Sequence, residues 1–145
     1  MKCNNTAQPA APPSVESIER GTTENGVILF VDRGVLHVRA VGAPPPNALV
    51  DCFREALETG ALRERLPVLV DIVKFSGKID WSEIRRIGEL TPWSRDHGGS
   101  CVAYLSDSPW FNTVLKVSAT LYPRTAHRHF DDAAKALEWL RAPRH

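Results

Sequence analysis

Between Leu66 and Trp81 the chain runs Leu-Pro-Val-Leu-Val-Asp-Ile-Val-Lys-Phe-Ser-Gly-Lys-Ile-Asp-Trp, and this stretch restricts the fold more than any other. Val68, Leu69, Val70, Ile72 and Val73 form a short, mostly β-branched run broken only by Asp71. Such a run predicts a strand covered on both faces, which an isolated hairpin or open meander does not provide. Ser76-Gly77 then turns the chain, and Asp80 followed by Glu83 predicts a capping box opening a helix. A covered strand, a polar loop and a helix in succession define an α/β unit, and the loop after such a strand is where these folds place ligand or partner sites.

The flanking sequence extends the pattern. Residues 1–22 carry Pro9, Pro12 and Pro13 among Ala, Ser, Thr and Asn, with few apolar anchors, and predict a flexible tail before a single domain over residues 23–145. Strands are expected over 27–31 and 35–41, joined by a tight turn at Asp32-Arg33-Gly34. Asn47 is expected to cap a helix whose apolar positions Leu49, Cys52, Phe53, Ala56 and Leu57 share a stripe, with Gly60 just past its end. A helix from about Asp80 to Leu90 should bury Trp81, Ile84 and Ile87, and Cys101–Leu105 should be another covered strand. Ser108 and Pro109 suit the start of a helix that places Trp110, Phe111, Val114, Leu115 and Ser118 on one face. A last strand over 125–130 sets Ala126, Arg128 and Phe130 opposite His127 and His129, and Asp131-Asp132 leads into a final helix lined by Ala133, Ala136, Leu137 and Leu140. The fold class is therefore α/β: a mixed central sheet of about five strands, with an N-terminal hairpin and about four flanking helices.

Composition narrows the function classes. A formal net charge of +1, with Lys and Arg scattered, gives no electrostatic case for nucleic acid or an anionic membrane. Cys3, Cys52 and Cys101 include no C-x-x-C pair and predict reduced thiols in a cytoplasmic protein. Met1-Lys2-Cys3 leads into polar residues, so no secretory signal is expected, and no apolar run reaches membrane-spanning length. His127 and His129 are spaced to share a strand face and could bind a metal, but no third or fourth ligand is evident, so neither metal nor cofactor is expected. Cys52 and Cys101 fall on core-facing positions, Ser76 has no nearby histidine, and the nucleophile-elbow, P-loop and dinucleotide-binding glycine patterns are absent. A non-enzymatic protein is expected.

Two sets of residues remain as candidate sites. The first is the loop after the central strand, Lys74, Ser76, Gly77, Lys78 and Asp80, where two ammonium groups flank a serine ahead of a helix start. It would serve partner binding or phosphorylation. The second is aromatic: Phe75, Trp81, Trp110 and Phe111 gather toward one end of the sheet and would wall a pocket for a small apolar, lipid-like ligand.

The run Val-Leu-Val-Asp-x-x-x-Phe-x-Gly at 68–77, Asp107 and Trp110 ahead of a helix, and His129-Phe130-Asp131 followed by Ala136-x-x-Trp139-Leu140 resemble the SpoIIAA-like group of the STAS fold, named for sulfate transporters and anti-sigma-factor antagonists. The resemblance spans residues 26–142. It implies a non-catalytic regulatory or binding module that recognises a protein partner or a small ligand, with homodimers possible. In the anti-sigma-factor antagonists an Asp-Ser-Ser-Gly turn before a helix carries the phosphorylated serine; here the matching turn reads Phe75-Ser76-Gly77, without the acidic residue or the doubled serine. Some SpoIIAA-like members are also grouped with CRAL-TRIO lipid carriers, which implies the alternative of an apolar-ligand carrier or sensor.

Overall fold

The computed structural model describes residues 17–62, 66–90, 101–108, 111–122 and 125–142. They form a six-stranded sheet in strictly sequential order: β1 (Ile18–Gly21), β2 (Gly26–Asp32), β3 (Val35–Val41), β4 (Val68–Asp71), β5 (Cys101–Leu105) and β6 (Ala126–Phe130). β1, β2 and β3 pair antiparallel, whereas β3 to β6 are parallel. The parallel strands are joined through α1 (Ala48–Glu58), α2 (Trp81–Leu90) and α3 (Phe111–Leu121), and α4 (Ala133–Arg141) follows β6. The turn between β2 and β3 places both Arg33 (φ 51°) and Gly34 (φ 78°) in the left-handed region. That is the backbone of a two-residue hairpin whose twist matches its strands.

One strand departs from expectation. The sequence predicts about five strands and a tail through residue 22, but Ile18–Gly21 pairs along β2 from Ile18↔Leu29 to Gly21↔Gly26. Ile18 is buried in the cluster formed by Val27, Leu29, Val38, Cys52 and Phe53, and Arg20 pairs with Glu55 of α1. The ordered fold thus begins at least four residues earlier than composition suggests, because pairing with an existing strand needs only one buried side chain.

Strand alternation sorts the sheet into two faces. Val35, Leu69, Cys101, Ala103 and Leu105 face α4 and pack with Ala136 and Leu140. Leu36, Val38, Val68, Val70, Val102 and Tyr104 point the other way, toward α1, α2 and α3. Asp71, the one acidic residue in the central run, sits at the end of β4 opposite Arg39, with their charged groups 3.4 Å apart. A half-exposed pair of this kind contributes little stability, but it removes the cost of ending an apolar strand on a carboxylate.

Helix starts follow the predicted chemistry only in part. Asp132 caps α4 by accepting from Ala134 N–H at 2.8 Å, and Asp80 caps α2 by accepting from Ser82 and Glu83 N–H at 3.0 and 3.2 Å. Asn47 does not cap α1. It adopts φ 65°, and its side-chain oxygen accepts instead from Arg86 of α2 at 2.7 Å. The acceptor for α1 comes from Glu83, whose carboxyl takes Val50 N–H at 2.8 Å rather than closing the expected box on Asp80. One side chain of α2 therefore satisfies an orphan donor at the start of α1.

Candidate functional site

These cross-links explain the main feature of the helical face. Glu83 and Arg86 hold α2 to the start of α1. On the other side the Tyr122 hydroxyl, just past α3, donates to the Ile84 carbonyl of α2. Propped from both neighbours, α2 stands off the sheet and leaves a cavity of about 480 Å³ beneath it. Its floor is the sheet face of Leu36, Val38, Ala40, Val68, Val70, Val102, Tyr104 and His127. Ala48, Leu49 and Phe53 of α1, Trp81, Ile84 and Ile87 of α2, and Val114 and Ser118 of α3 form its walls. Trp81, Ile84 and Ile87, expected to be buried, are only half-buried because they face this space. The exposed lining residues Pro45, Pro46, Lys78 and Asp80 lie beyond the C-terminal ends of β3 and β4, which places a mouth there.

Gly88 makes the α2–α3 prop possible. A Cβ at this position would come within 2.7 Å of the Tyr122 hydroxyl oxygen, so only glycine lets the ring approach the helix. Gly88→Ala is expected to cost about 1 kcal/mol net, since losing the Tyr122 bond outweighs the gain in helix propensity. Once the ring is removed the sign should reverse: in a Tyr122→Ala background, Gly88→Ala should stabilise by up to about 1 kcal/mol. Urea unfolding of the four proteins checks this, and a stabilising Gly88→Ala in the wild-type background would show that the ring yields freely.

At the far end from the mouth lies a short polar chain. His127 Nε2 is 3.1 Å from the Tyr122 carbonyl oxygen, and its Nδ1 is 2.9 Å from the Tyr104 hydroxyl. A carbonyl only accepts, so Nε2 carries the proton and the Tyr104 hydroxyl donates to Nδ1. Ser118 of α3 lines the same cavity. Burial pushes Tyr104 up to about 12, and burial, partly offset by the bond to Tyr122, holds His127 below the usual histidine range. The neighbouring His129 turns its ring onto Phe111, with centroids 4.7 Å apart, and its Nε2 lies 2.6 Å from the Ser106 carbonyl oxygen. The two histidines share a face, as their spacing predicts, but each is engaged by its own neighbours. Among the described residues no group of three His, Cys, Asp or Glu side chains is placed to hold a metal.

The depressed His127 value sets a pH dependence. Unfolded, the imidazole titrates near 6.5; folded, it titrates lower. Between the two values the unfolded chain holds more protons, so this contribution is fully present above about pH 6.5 and is lost as the pH falls through the folded value. His37, lowered first by burial, acts in the same window. The urea midpoint is therefore expected to fall between pH 7.5 and 5.5, and His127→Gln should flatten that fall. An unchanged slope in the variant would assign the effect to other groups.

The candidate residues are only partly brought together. Phe75 and Trp81 from the aromatic set and Lys78 and Asp80 from the loop set line the same cavity near its mouth. Lys74 and Ser76 are exposed, and the backbone N–H groups of Ser76 and Gly77 both donate to the Gly42 carbonyl, pinning the loop to the end of β3. Phe111 does not line the cavity: it is 1% exposed and packs against Tyr104 and Val114. Trp110 lies outside the described residues. The sequence reading gave Glu83 only a capping role and Ser118 only a helix-face position, and it assigned neither these nor Tyr104 and Tyr122 to a site, although the placement of His127 opposite Phe130 on β6 pointed to this face.

The sheet order and helix placement define a SpoIIAA-like α/β architecture, and the comparisons agree. The SpoIIAA-like family profile matches residues 35–141, and the chain belongs to that family. Among solved structures, an uncharacterized protein with a SpoIIAA-like fold from Shewanella loihica PV-4 is similar at a TM-score of 0.55 and 16% identity, over 92% of this chain and 99% of that one. A search of curated proteins gives no match. Among the described residues no helix is long and apolar enough to cross a membrane.

Proposed function

We propose that this SpoIIAA-like chain is a non-enzymatic binding module that holds a small, mainly apolar molecule beneath α2. The cavity carries the reading. Its volume of about 480 Å³ lies within the range of roughly 300–1,000 Å³ usual for small-molecule sites. As a closed void of 480 Å³ it would forfeit on the order of 10 kcal/mol at the cost seen for residual cavities, comparable to the whole stability of a domain. A mouth that admits water lowers that figure, and an apolar occupant lowers it further. Catalysis finds no support in the polar groups present. Burial raises Tyr104, the opposite of activation, and both nitrogens of His127 are engaged within the protein.

The same position suits a regulatory module. Phe75, Lys78 and Asp80 line the mouth, while Lys74 and Ser76 of the same pinned loop face solvent. An occupant would thus lie behind the surface proposed to meet a protein partner. Nile red, a neutral apolar dye, tests the cavity. Wild-type protein should bind it saturably at one site, and Val70→Trp, which fills the floor, should abolish binding while the fold and melting temperature persist. Equal binding by a folded Val70→Trp variant would place the site elsewhere.

A further inference from the structure

Hydrogen-bond roles inside the cavity are unequal, and they bear on which head group its occupant carries. His127 Nε2–H is spent on the Tyr122 carbonyl, Tyr104 O–H on His127 Nδ1, and Tyr122 O–H on the Ile84 carbonyl. The Ser118 hydroxyl, also in the lining, can serve in either role. Three donors of the inner wall are thus turned inward onto the protein, while Trp81, near the mouth, carries an indole N–H. Acceptors are left over: the Tyr104 and Ser118 oxygens keep lone pairs. Glu83, only 9% exposed and part of the lining, gives one carboxyl oxygen to Val50 N–H and keeps the other. Half-buried Thr125, at the far end, carries a hydroxyl that serves in either role, and the ammonium of Lys78 is exposed at the mouth.

We infer that the occupant is an apolar molecule whose head group donates a hydrogen bond, an alcohol or an alkylamine, and that carboxylates are rejected. This rests on the cavity-binding reading and adds the ligand class. A donor head satisfies the surplus lone pairs of Ser118, Tyr104 or Glu83. A carboxylate brought inside would bury charge beside the Glu83 carboxyl with few donors to meet it, the arrangement that buried polar groups avoid. An ether fits the apolar walls but leaves the acceptors unmet.

The test is displacement of Nile red at pH 8 by decan-1-ol, decylamine, decyl methyl ether and decanoic acid. The alcohol or the amine, or both, should bind about fivefold more tightly than the ether, the factor one net hydrogen bond supplies, and more tightly still than the acid. Tighter amine binding assigns the head group to Glu83; tighter alcohol binding assigns it to the Ser118–Tyr104 end. Glu83→Gln keeps an oxygen for Val50 and turns an amide donor toward the cavity. Decanoate should then bind better and decylamine worse, with folding checked by circular dichroism. Decanoate or ether binding as well as the alcohol and the amine overturns the inference while leaving a cavity-binding module intact. So does a folded Glu83→Gln variant with an unchanged acid-to-amine ratio, or Nile red bound but displaced by none of the four. Failure of Nile red itself to bind removes the cavity reading and this inference together.

Discussion

Phe111→Ala is expected to lower the unfolding free energy by about 3–5 kcal/mol, the usual cost of truncating a core phenylalanine. The ring is 1% exposed. It lies 5.3 Å from the Tyr104 ring and 4.7 Å from the His129 ring, centroid to centroid, at the point where α3 meets β5 and β6. The Tyr104 ring, held by its bond to His127, is not free to move into the space. In a chain of this size the loss corresponds to a fall of roughly 10 °C in melting temperature. Trp139→Ala is a useful contrast. The Trp139 ring of the last helix is half-buried, with its centroid 5.7 Å from that of Phe130, and its loss should cost about half as much. Calorimetry on both variants decides it, and a larger loss for Trp139 would move the weight of packing to the α4 face.

Two truncations should separate just as sharply. Removing residues 1–16 should leave the melting temperature within about 2 °C of the full chain, since that segment offers few apolar groups to bury. Removing residues 1–21 should cost a further 2–5 kcal/mol or so, the range for losing a buried isoleucine side chain, with strand pairing lost besides. It takes away Ile18, the ladder to β2 and the Arg20–Glu55 pair, and it opens the Cys52 side of the α1 cluster to water. Cys52, now raised to about 11 by burial, should then react faster with a thiol reagent. Two truncations of equal stability would mean that β1 adds nothing to the fold.

Much of this architecture was legible in the sequence. The apolar run opening at Val68, the alternation in β6, the Gly34 turn and the aspartates Asp80 and Asp132 each announced their elements, although β4 ends at Asp71 and Val73, at the end of the predicted run, is exposed. β1 was not legible because an edge strand can be specified by its partner: one isoleucine among Glu, Arg and Gly has no period of its own. The cavity was hidden for a different reason. Periodicity reports which side of a strand or helix is apolar, and Val70, Val102, Ile84 and Ile87 all gave that signal. Whether the two apolar sides touch depends on props such as Glu83 and Tyr122, whose partners are 33 and 38 residues away along the chain. Asn47 and Glu83 show the same limit. Each reads as a local cap, and each bonds across to another helix.

The sequential strand order also bears on how the chain acquires its shape. From β2 onward each strand pairs with the one made just before it, and none has to be threaded between two strands already joined. Loop closures therefore stay short, at one hairpin or one helical crossover each, and the entropy lost at each step is modest. During synthesis every emerging strand meets a finished edge. The sheet can lengthen by addition at one side only, and α4, which covers β4 and β5 from the opposite face, closes the structure last.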